Sequence, residues 1–145
     1  MSSINPIPQA CAVPYRVEDS GVEFCLITSR KSGRWGFPKG NIDSDQTLEQ
    51  AALGEADEEA GLSGRIVLEQ PLGEYIYKKI GREYSVVGLL MEVDNCRQDW
   101  KEAHQRERLW AAPADAERML DRPHFAQLLQ TALDQIQRSD KNSNG

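Results

Sequence analysis

The stretch of sequence that decides the fold covers residues 35–62 and reads WGFPKGNIDSDQTLEQAALGEADEEAGL. In its second half, Thr47 and Gln50 match a capping box, which opens a helix, and Gly61 is the residue type that commonly ends one. The apolar residues between them recur at helical spacing. We therefore predict an amphipathic helix over residues 47–60 that packs one face against a core.

Three glutamates share one face of this predicted helix, because Glu55, Glu58 and Glu59 are spaced i, i+3 and i+4. Each like-charged pair at this spacing costs about 0.2–0.5 kcal/mol, and the helix dipole disfavours anions near the C terminus, where these three lie. A solvated acidic surface is the ordinary explanation of such a run. A hard divalent cation, Mg²⁺ or Mn²⁺, would offset both penalties, since carboxylate oxygens are its preferred ligands.

Strands and helices alternate around this stretch. Apolar runs and period-two alternation predict strands at residues 9–16, 22–30, 65–68, 74–80, 84–93 and 108–111. A proline in the first turn predicts helices at residues 113–120 and from Pro123 onward. Residues 94–106 are expected to form a surface loop or a short helix. Strands interleaved with helices in one chain indicate an α/β (α+β) layered domain.

Length and composition limit the classes of function. The chain has 145 residues and a net charge of −6, and we expect one domain over residues 1–138 followed by a disordered polar tail at 139–145. Net acidity argues against general nucleic-acid binding. The longest central apolar run, residues 86–91, is far shorter than the ~20 residues of a membrane span. Three cysteines without CxxC spacing and an N terminus unlike an export signal favour a reducing, cytoplasmic location.

The charge is distributed unevenly along the chain. Residues 41–62 hold seven Asp and Glu and no Lys or Arg. Residues 30–40, directly before them, hold four basic residues and no acidic one. A carboxylate-rich helix thus follows a basic, glycine-rich loop, and this local charge, rather than the net charge, decides which ligand a site accepts.

The spacing of residues in this stretch matches a known pattern. Five residues separate Gly40 from Gln46, seven separate Gln46 from Gly54, and EADEEAGL follows over residues 55–62. This resembles the Nudix box, G-x5-E-x7-R-E-U-x-E-E-x-G-U with U an aliphatic residue, and residues 35–40 resemble the W-x-x-P-K-G lead-in common in that superfamily. The resemblance implies a Nudix-type α/β/α sandwich with a mixed sheet and the catalytic helix after the Gly-rich loop. It also implies a Mg²⁺-dependent hydrolase, with Mn²⁺ as an alternative cation.

The same resemblance implies roles for individual residues. Glu55, Glu58 and Glu59 would be metal ligands and catalytic residues, with Glu58 the general base on family precedent. The basic loop and residues 99–124 are similar to diphosphoinositol polyphosphate phosphohydrolases, a branch that cleaves phosphoanhydride bonds in diphosphoinositol polyphosphates and diadenosine polyphosphates. Lys39 is more typical of the diadenosine polyphosphate enzymes. Six basic residues are predicted to hold the phosphates of a small-molecule substrate: Arg30, Lys31, Arg34, Lys39, Arg106 and Arg108.

Two residues depart from the box, since Gln46 replaces its first Glu and Gly54 replaces its Arg. In the family that Arg orients the neighbouring metal-binding glutamate, so Glu55 is expected to lack its usual partner. The alternative function is therefore a catalytically weakened Nudix module that binds a nucleotide or polyphosphate. An RNA 5′ pyrophosphohydrolase is a third hypothesis, ranked lower because no broad basic surface is evident. The sequence leaves the oligomeric state open.

Further candidates lie outside the box. Glu102 is a candidate extra metal ligand, because many Nudix proteins place one there. The basic residues at 78–82 are a further, less specific phosphate clamp. One aromatic residue is a candidate to stack on an adenine base, with three to choose from: Trp35, Tyr77 and Tyr84. The two histidines, His104 and His124, are expected to be surface or packing residues.

Overall fold

The computed structural model describes residues 5–67 and 70–143, with side chains as far as residue 139. Within these residues the elements are β1 (Ile7–Glu18), β2 (Gly21–Thr28), β3 (Trp35–Gly36), β4 (Lys39–Asn41), α1 (Leu48–Ala60), β5 (Leu62–Ile66), β6 (Gly73–Lys79), β7 (Arg82–Cys96), β8 (Arg108–Ala111), α2 (Pro113–Met119) and α3 (Pro123–Ser143). Helix α1 has both hydrogen bonds of the predicted capping box, and Gly61 ends it with a φ of 69°. The local signals in residues 47–61 therefore set this helix as predicted.

The described strands form one mixed sheet in the order β3-β2-β1-β7-β5, with β4 paired to β1, β6 to β7 and β8 to β2. Strands β1 and β7 run parallel, with Ala10 opposite Val87, and the other pairs are antiparallel. Residues 9–15 of β1 are all buried. A strand with both faces buried must be covered on both sides, which is the position of a central strand between helical layers.

Helices α2 and α3 cover one face of the sheet. Val13 of β1 and the alternate residues Phe24 and Leu26 of β2 point to this side, where they join a core with Phe125 and Leu129 of α3. The apolar positions of α3 recur every three to four residues, so one stripe of the helix is buried. The predicted amphipathic character of this last helix is confirmed.

Helix α1 covers the opposite face of the sheet. It buries four alanines, Ala51, Ala52, Ala56 and Ala60. Their small side chains let the helix approach the strands closely, and they share a core with Ala12 and Met91. Helices on both faces of a mixed sheet confirm the predicted α/β/α sandwich, an α+β fold.

Two strand predictions need correction. Strand β5 begins at Leu62, directly after the helix, rather than at residue 65. A register shift between Ser63 and Gly64 interrupts its pairing with β7. A Ser-Gly pair reads as a turn in sequence, which hid this irregular strand. The expected end of the strand, Leu68, lies outside the described residues. Strands β3 and β4 within the glycine-rich loop were not predicted, since segments of two or three residues carry no periodicity.

The expected tail at 139–145 is also corrected. Helix α3 continues to Ser143, so the backbone of residues 139–143 is helical rather than disordered. Residues 144–145 lie outside the described part of the chain. Polar residues alone predicted a tail, but polar residues also continue a helix once a buried stripe has fixed its axis.

Two of the three cysteines are core residues. Cys11 and Cys25 are fully buried, and burial raises the pKa of each thiol to about 12, so neither forms a thiolate at neutral pH. Cys96 is half-buried, and none of the three is in a disulfide. Among the described helices, none has the length and apolar character needed to cross a bilayer.

Candidate active site

A pocket of about 510 Å³ opens between the loop of residues 29–39, the tip of the β6–β7 hairpin and the start of α3. Its charged lining is one-sided, with seven basic residues: Lys31, Arg34, Lys39, Lys78, Lys79, Arg106 and Arg122. Glu59 is the single acidic residue that the described part of the chain contributes to the lining. A pocket of this charge suits a strongly anionic ligand, which resolves how an acidic protein can accept one.

The acidic end of the pocket is built from α1 and the strand that precedes it. The Lys39 amide donates a hydrogen bond to Glu59 Oε1 at 3.1 Å, and Glu59 is 9% exposed. The carboxyl groups of Glu55 and Glu59 lie close enough for each to shift the pKa of the other. Gly40 lies so close that a Cβ there would collide with the Glu55 carboxylate. The glycine of the loop is therefore what allows β4 to lie against the carboxylate-bearing side of the helix.

Burial governs the electrostatics of this carboxyl pair. It raises the pKa of both Glu55 and Glu59, while the Arg106 guanidinium opposes the rise at Glu59. Two neighbouring carboxyl groups, one buried and one half-buried, repel each other when both are charged, and a shared proton or a cation relieves this repulsion. Oxygen donors brought together in this way fit a hard divalent cation.

Glu58 differs from its two neighbours. Its side chain is 46% exposed, and Oε1 lies 3.9 Å from Lys101 Nζ. In the described residues no group of three or more His, Cys, Asp and Glu is assembled as a metal site. The fold thus brings together two of the three predicted ligands, Glu55 and Glu59, whereas Glu58 is turned toward Lys101.

Arg106 is buried rather than free for substrate. Its Nε donates to Glu102 at 2.7 Å, its Nη1 donates to the Thr28 carbonyl at 3.0 Å, and its Nη2 lies 3.3 Å from Glu59 Oε2. The side chain is 9% exposed. It lines the pocket, but all three of its nitrogens already have protein partners, so its predicted phosphate contact stays a prediction. Glu102, the candidate extra ligand, is at 14% exposure part of the same network.

The prediction for Arg108 is corrected by its position. Its side chain is not in the pocket lining; Nη1 donates to the carbonyls of Ala60 and Arg97, both at 2.7 Å. The guanidinium also stacks on Trp100 at 4.0 Å, and Trp100 Nε1 donates to the Glu59 carbonyl at 2.9 Å. Helix α1 has no basic residue in its last turn. Arg108 and Trp100 supply the donors that its terminal carbonyls need.

The cations of the glycine-rich loop are more accessible. Lys39 Nζ donates to the Tyr77 hydroxyl at 3.0 Å and lies over the same ring. Arg34 pairs with Asp121 at 3.1 Å on the surface, and Lys31 is exposed on the pocket wall. Arg30 donates to Gln105 at 3.1 Å beside a smaller adjoining cavity of about 270 Å³. Three of the six predicted phosphate contacts therefore face the pocket with exposed or partly exposed charges.

Two aromatic candidates adjoin these loop cations. Tyr77 and Tyr84 stack on each other with ring centroids 4.9 Å apart, and both line the smaller cavity. Trp35 is instead partly buried against the core beneath α3. The tyrosine pair is therefore the better placed of the candidates to meet a planar ligand group.

Sequence reasoning missed Arg122 and treated His124 as a packing residue. Both line the pocket, where the His124 ring stacks on Tyr75 at 4.2 Å and Arg122 Nη2 donates to the Trp35 carbonyl at 3.1 Å. Burial, together with the neighbouring Arg122, lowers the pKa of His124. Arg122 Nε and the Tyr75 hydroxyl are buried without a hydrogen-bond partner in the described residues. The one local signal in the sequence is that Arg122 precedes the proline that opens α3. This signal does not show that the start of the helix borders the pocket.

The two departures from the box have different surroundings. Gln46 Oε1 accepts a hydrogen bond from the Asp43 amide at 3.0 Å, so it closes a turn before α1. Around Gly54, no heavy atom lies within 4 Å of where a Cβ would stand. Gln46 thus has a structural role of its own, whereas position 54 is open space on the helix surface.

The comparisons with known proteins agree with this geometry. A family model described as the NUDIX domain matches residues 6–131, and the chain belongs to the Nudix family. Nudix hydrolase 4 of Arabidopsis thaliana is 33% identical over 116 residues, covering 72% of this chain and 54% of that protein. Nudix hydrolase 12, mitochondrial, of the same plant is 34% identical over 125 residues, covering 72% and 61%. The chain thus spans just over half the length of these curated relatives.

Solved structures show the same fold. The crystal structure of the C. elegans Ap4A hydrolase has a TM-score of 0.76 at 25% identity and covers 91% of this chain and 99% of that one. The NUDIX domain of Shewanella oneidensis NrtR, complexed with ADP ribose, has a TM-score of 0.74 at 19% identity over 92% and 90%. Nudix hydrolases generally use divalent metal ions, typically Mg²⁺.

Proposed function

We propose that this chain is a Nudix hydrolase that cleaves a phosphoanhydride bond in a small nucleoside polyphosphate, of the diadenosine polyphosphate type. The observation that carries the proposal is the buried Glu59, with the half-buried Glu55 beside it, at one end of a pocket otherwise lined by seven Lys and Arg residues. A carboxylate pair would suit a cation, and the basic walls would suit the phosphates of the substrate.

Glu55, Glu58 and Glu59 would hold the Mg²⁺ or Mn²⁺, which neutralises the phosphate charge and activates water when bound. Glu59 is held in place by the Lys39 amide, so its oxygen is fixed before any ligand arrives. The Glu58 side chain is 46% exposed, which suits its proposed role as the base that accepts the proton of the attacking water.

Lys31, Arg34, Lys39 and Arg122 would hold the phosphates. Their side chains line the pocket opposite Glu59, and a chain of phosphates has a charge on each unit to match them. The C. elegans structural neighbour is an Ap4A hydrolase, which supports the nucleoside polyphosphate class. The stacked tyrosines beside the pocket offer a surface for a base, which an inositol substrate lacks.

The test is hydrolysis of a substrate panel with Mg²⁺ or Mn²⁺: diadenosine tetraphosphate, a diphosphoinositol polyphosphate, ADP-ribose and 5′-triphosphorylated RNA. We expect diadenosine tetraphosphate to be cleaved fastest and the activity to disappear in Glu59→Gln. Glu49→Gln is the matched control, because Glu49 lies on the same helix but is exposed in its first turn. If no member of the panel is cleaved at high protein concentration, the proposal is wrong.

A second candidate function is supported by Glu58 and Gly54. Glu58 is turned toward Lys101, and the box arginine is absent, so the chain is also a candidate for a Nudix module that binds a polyphosphate without efficient hydrolysis. Calorimetry distinguishes the two functions. Binding of diadenosine tetraphosphate without turnover favours the module, and turnover favours the enzyme. A cytoplasmic location stays a prediction, since relatives include mitochondrial forms.

A further inference from the structure

We infer that Arg106, in a chain without the box arginine at position 54, is a positioning residue that holds the Glu59 carboxylate in the orientation used for metal binding. The inference rests on the proposed function, because it concerns the same carboxylates. It begins with Gly54, where nothing within 4 Å would meet a Cβ. Helix α1 therefore offers no cation of its own beside Glu55 and Glu59, and its last turn has no basic residue.

Arg106 supplies the missing charge from a distant part of the chain. Its Nη2 lies 3.3 Å from Glu59 Oε2, while the Lys39 amide donates to Oε1 of the same carboxylate at 3.1 Å. Each Glu59 oxygen is thus engaged by a different donor from outside the helix. A carboxylate held at both oxygens has little freedom to rotate, which is what orienting a ligand requires.

The guanidinium is itself held on its other sides. Nε donates to Glu102 at 2.7 Å and Nη1 to the Thr28 carbonyl at 3.0 Å. The side chain is only 9% exposed, and each of its three nitrogens already contacts a protein acceptor. A planar fork with donors in three directions is specific to arginine, and the single ammonium of lysine cannot reach all three acceptors at once.

The absence of an arginine at position 54 and the burial of Arg106 then have the same explanation. A side chain at position 54 would start from open space on the helix surface, whereas Arg106 holds Glu59 from a site where its own side chain is 9% exposed. Loss of the box arginine is compatible with full activity if orientation comes from Arg106. This separates Arg106 from the loop cations, which would act on the substrate.

The test compares Arg106→Lys, which keeps the charge and loses the fork, with Arg106→Gln, each in a Gly54 and a Gly54→Arg background. We expect Arg106→Lys to lower kcat about 10–100-fold, with KM within about twofold, and to weaken Mn²⁺ binding about tenfold, as measured by calorimetry without substrate. Gly54→Arg should restore both kcat and Mn²⁺ affinity. Gly54→Gln is the matched control, since it fills the same space and improves the helix without adding charge.

Several outcomes would overturn the inference. A folded Arg106→Lys protein with unchanged kcat and Mn²⁺ affinity would do so, and so would a rise in KM alone, which would make Arg106 a phosphate contact. Equal restoration by Gly54→Gln would reduce the effect to helix stability. If Arg106→Gln does not fold, the lysine variant still decides. A wild-type chain that binds Mn²⁺ but hydrolyses nothing overturns the proposed function alone, because the binding series still tests Arg106.

Discussion

Two segments of this chain each hold four Lys and Arg residues, but the structure uses them differently. The loop of residues 29–40 and the connection of residues 97–108 between β7 and β8 both hold several arginines and lysines, and the sequence predicts phosphate contacts in both. In the loop, Arg30 and Arg34 have side chains 57% and 48% exposed. In the connection, Arg106 is 9% exposed and bonded on three sides. The comparison teaches that a cation's neighbours, rather than its charge, decide whether it binds ligand or protein.

The cause of the difference is the C terminus of α1. A helix end leaves carbonyl groups without partners, and anions there oppose the dipole. The connection crosses this end, where Arg97 pairs with Asp57 and Arg108 reaches the Ala60 carbonyl. The loop lies beside the pocket instead, where its cations are not needed as donors to helix-end carbonyl groups. The penalties inferred for the acidic helix are therefore offset partly by protein, and not by a metal alone.

The largest expected effect is at Glu59, where the two segments meet. Glu59→Gln keeps the shape of the side chain but removes the charge that both the Lys39 amide and Arg106 engage. We expect the hydrolysis rate to fall by at least about 100-fold, in the range of losses that follow removal of a catalytic carboxylate. Rates should be measured beside far-UV circular dichroism. Activity close to wild type in a folded variant would exclude Glu59 from the chemistry.

Arg108→Gln tests whether the cations of the connection stabilise the fold. The change removes two charged hydrogen bonds to helix-end carbonyls and the stacking on Trp100. We expect a loss of about 2–3 kcal/mol in the free energy of unfolding, measured by urea denaturation, with KM unchanged. Arg34→Gln is the control, since its exposed pair with Asp121 should contribute less than ~1 kcal/mol. An equal loss in the two variants would erase the distinction between the segments.

Lys39→Gln tests whether the cations of the loop bind the substrate. The Lys39 ammonium lies over Tyr77 at the pocket wall and contacts only one hydroxyl, so its removal leaves no buried charge unpaired. We expect KM to rise about tenfold, equivalent to ~1.4 kcal/mol of binding, with little change in the unfolding midpoint. A lower midpoint with an unchanged KM would place Lys39 among the structural cations.

His124 extends the comparison to the start of α3, where it lies beside the basic residue Arg122. Its pKa is lowered below the ordinary 6.5 by burial and by Arg122, so the folded state favours the neutral imidazole. Protonation then favours unfolding, and stability should fall as the pH drops through 6.5 toward the lower folded pKa. We expect this part of the pH dependence to vanish in His124→Gln and to persist in the control His104→Gln. Thermal unfolding between pH 8 and 5 measures it, and an unchanged profile in His124→Gln would contradict the prediction.

What the sequence predicted follows from local signals. The capping pair Thr47 and Gln50 and the stop at Gly61 act within a few residues, so α1 was placed to within one residue. The spacing of Glu55 and Glu59 likewise put both on one face. What it could not predict depends on distant contacts. Nothing in the neighbourhood of Arg106 or Arg108 shows that these residues cross the end of a helix about 50 positions earlier.

The four buried alanines of α1 have a consequence beyond packing. Because the buried apolar residues of this helix are alanines, the helix lies close to the sheet, and this holds its carboxylates near the loop backbone. Replacing Ala56 with valine would lift the helix and move Glu59 away from the Lys39 amide, although neither residue had changed. The packing of α1 on the sheet and the position of its carboxylates therefore depend on each other. A change in the core is expected to alter the site.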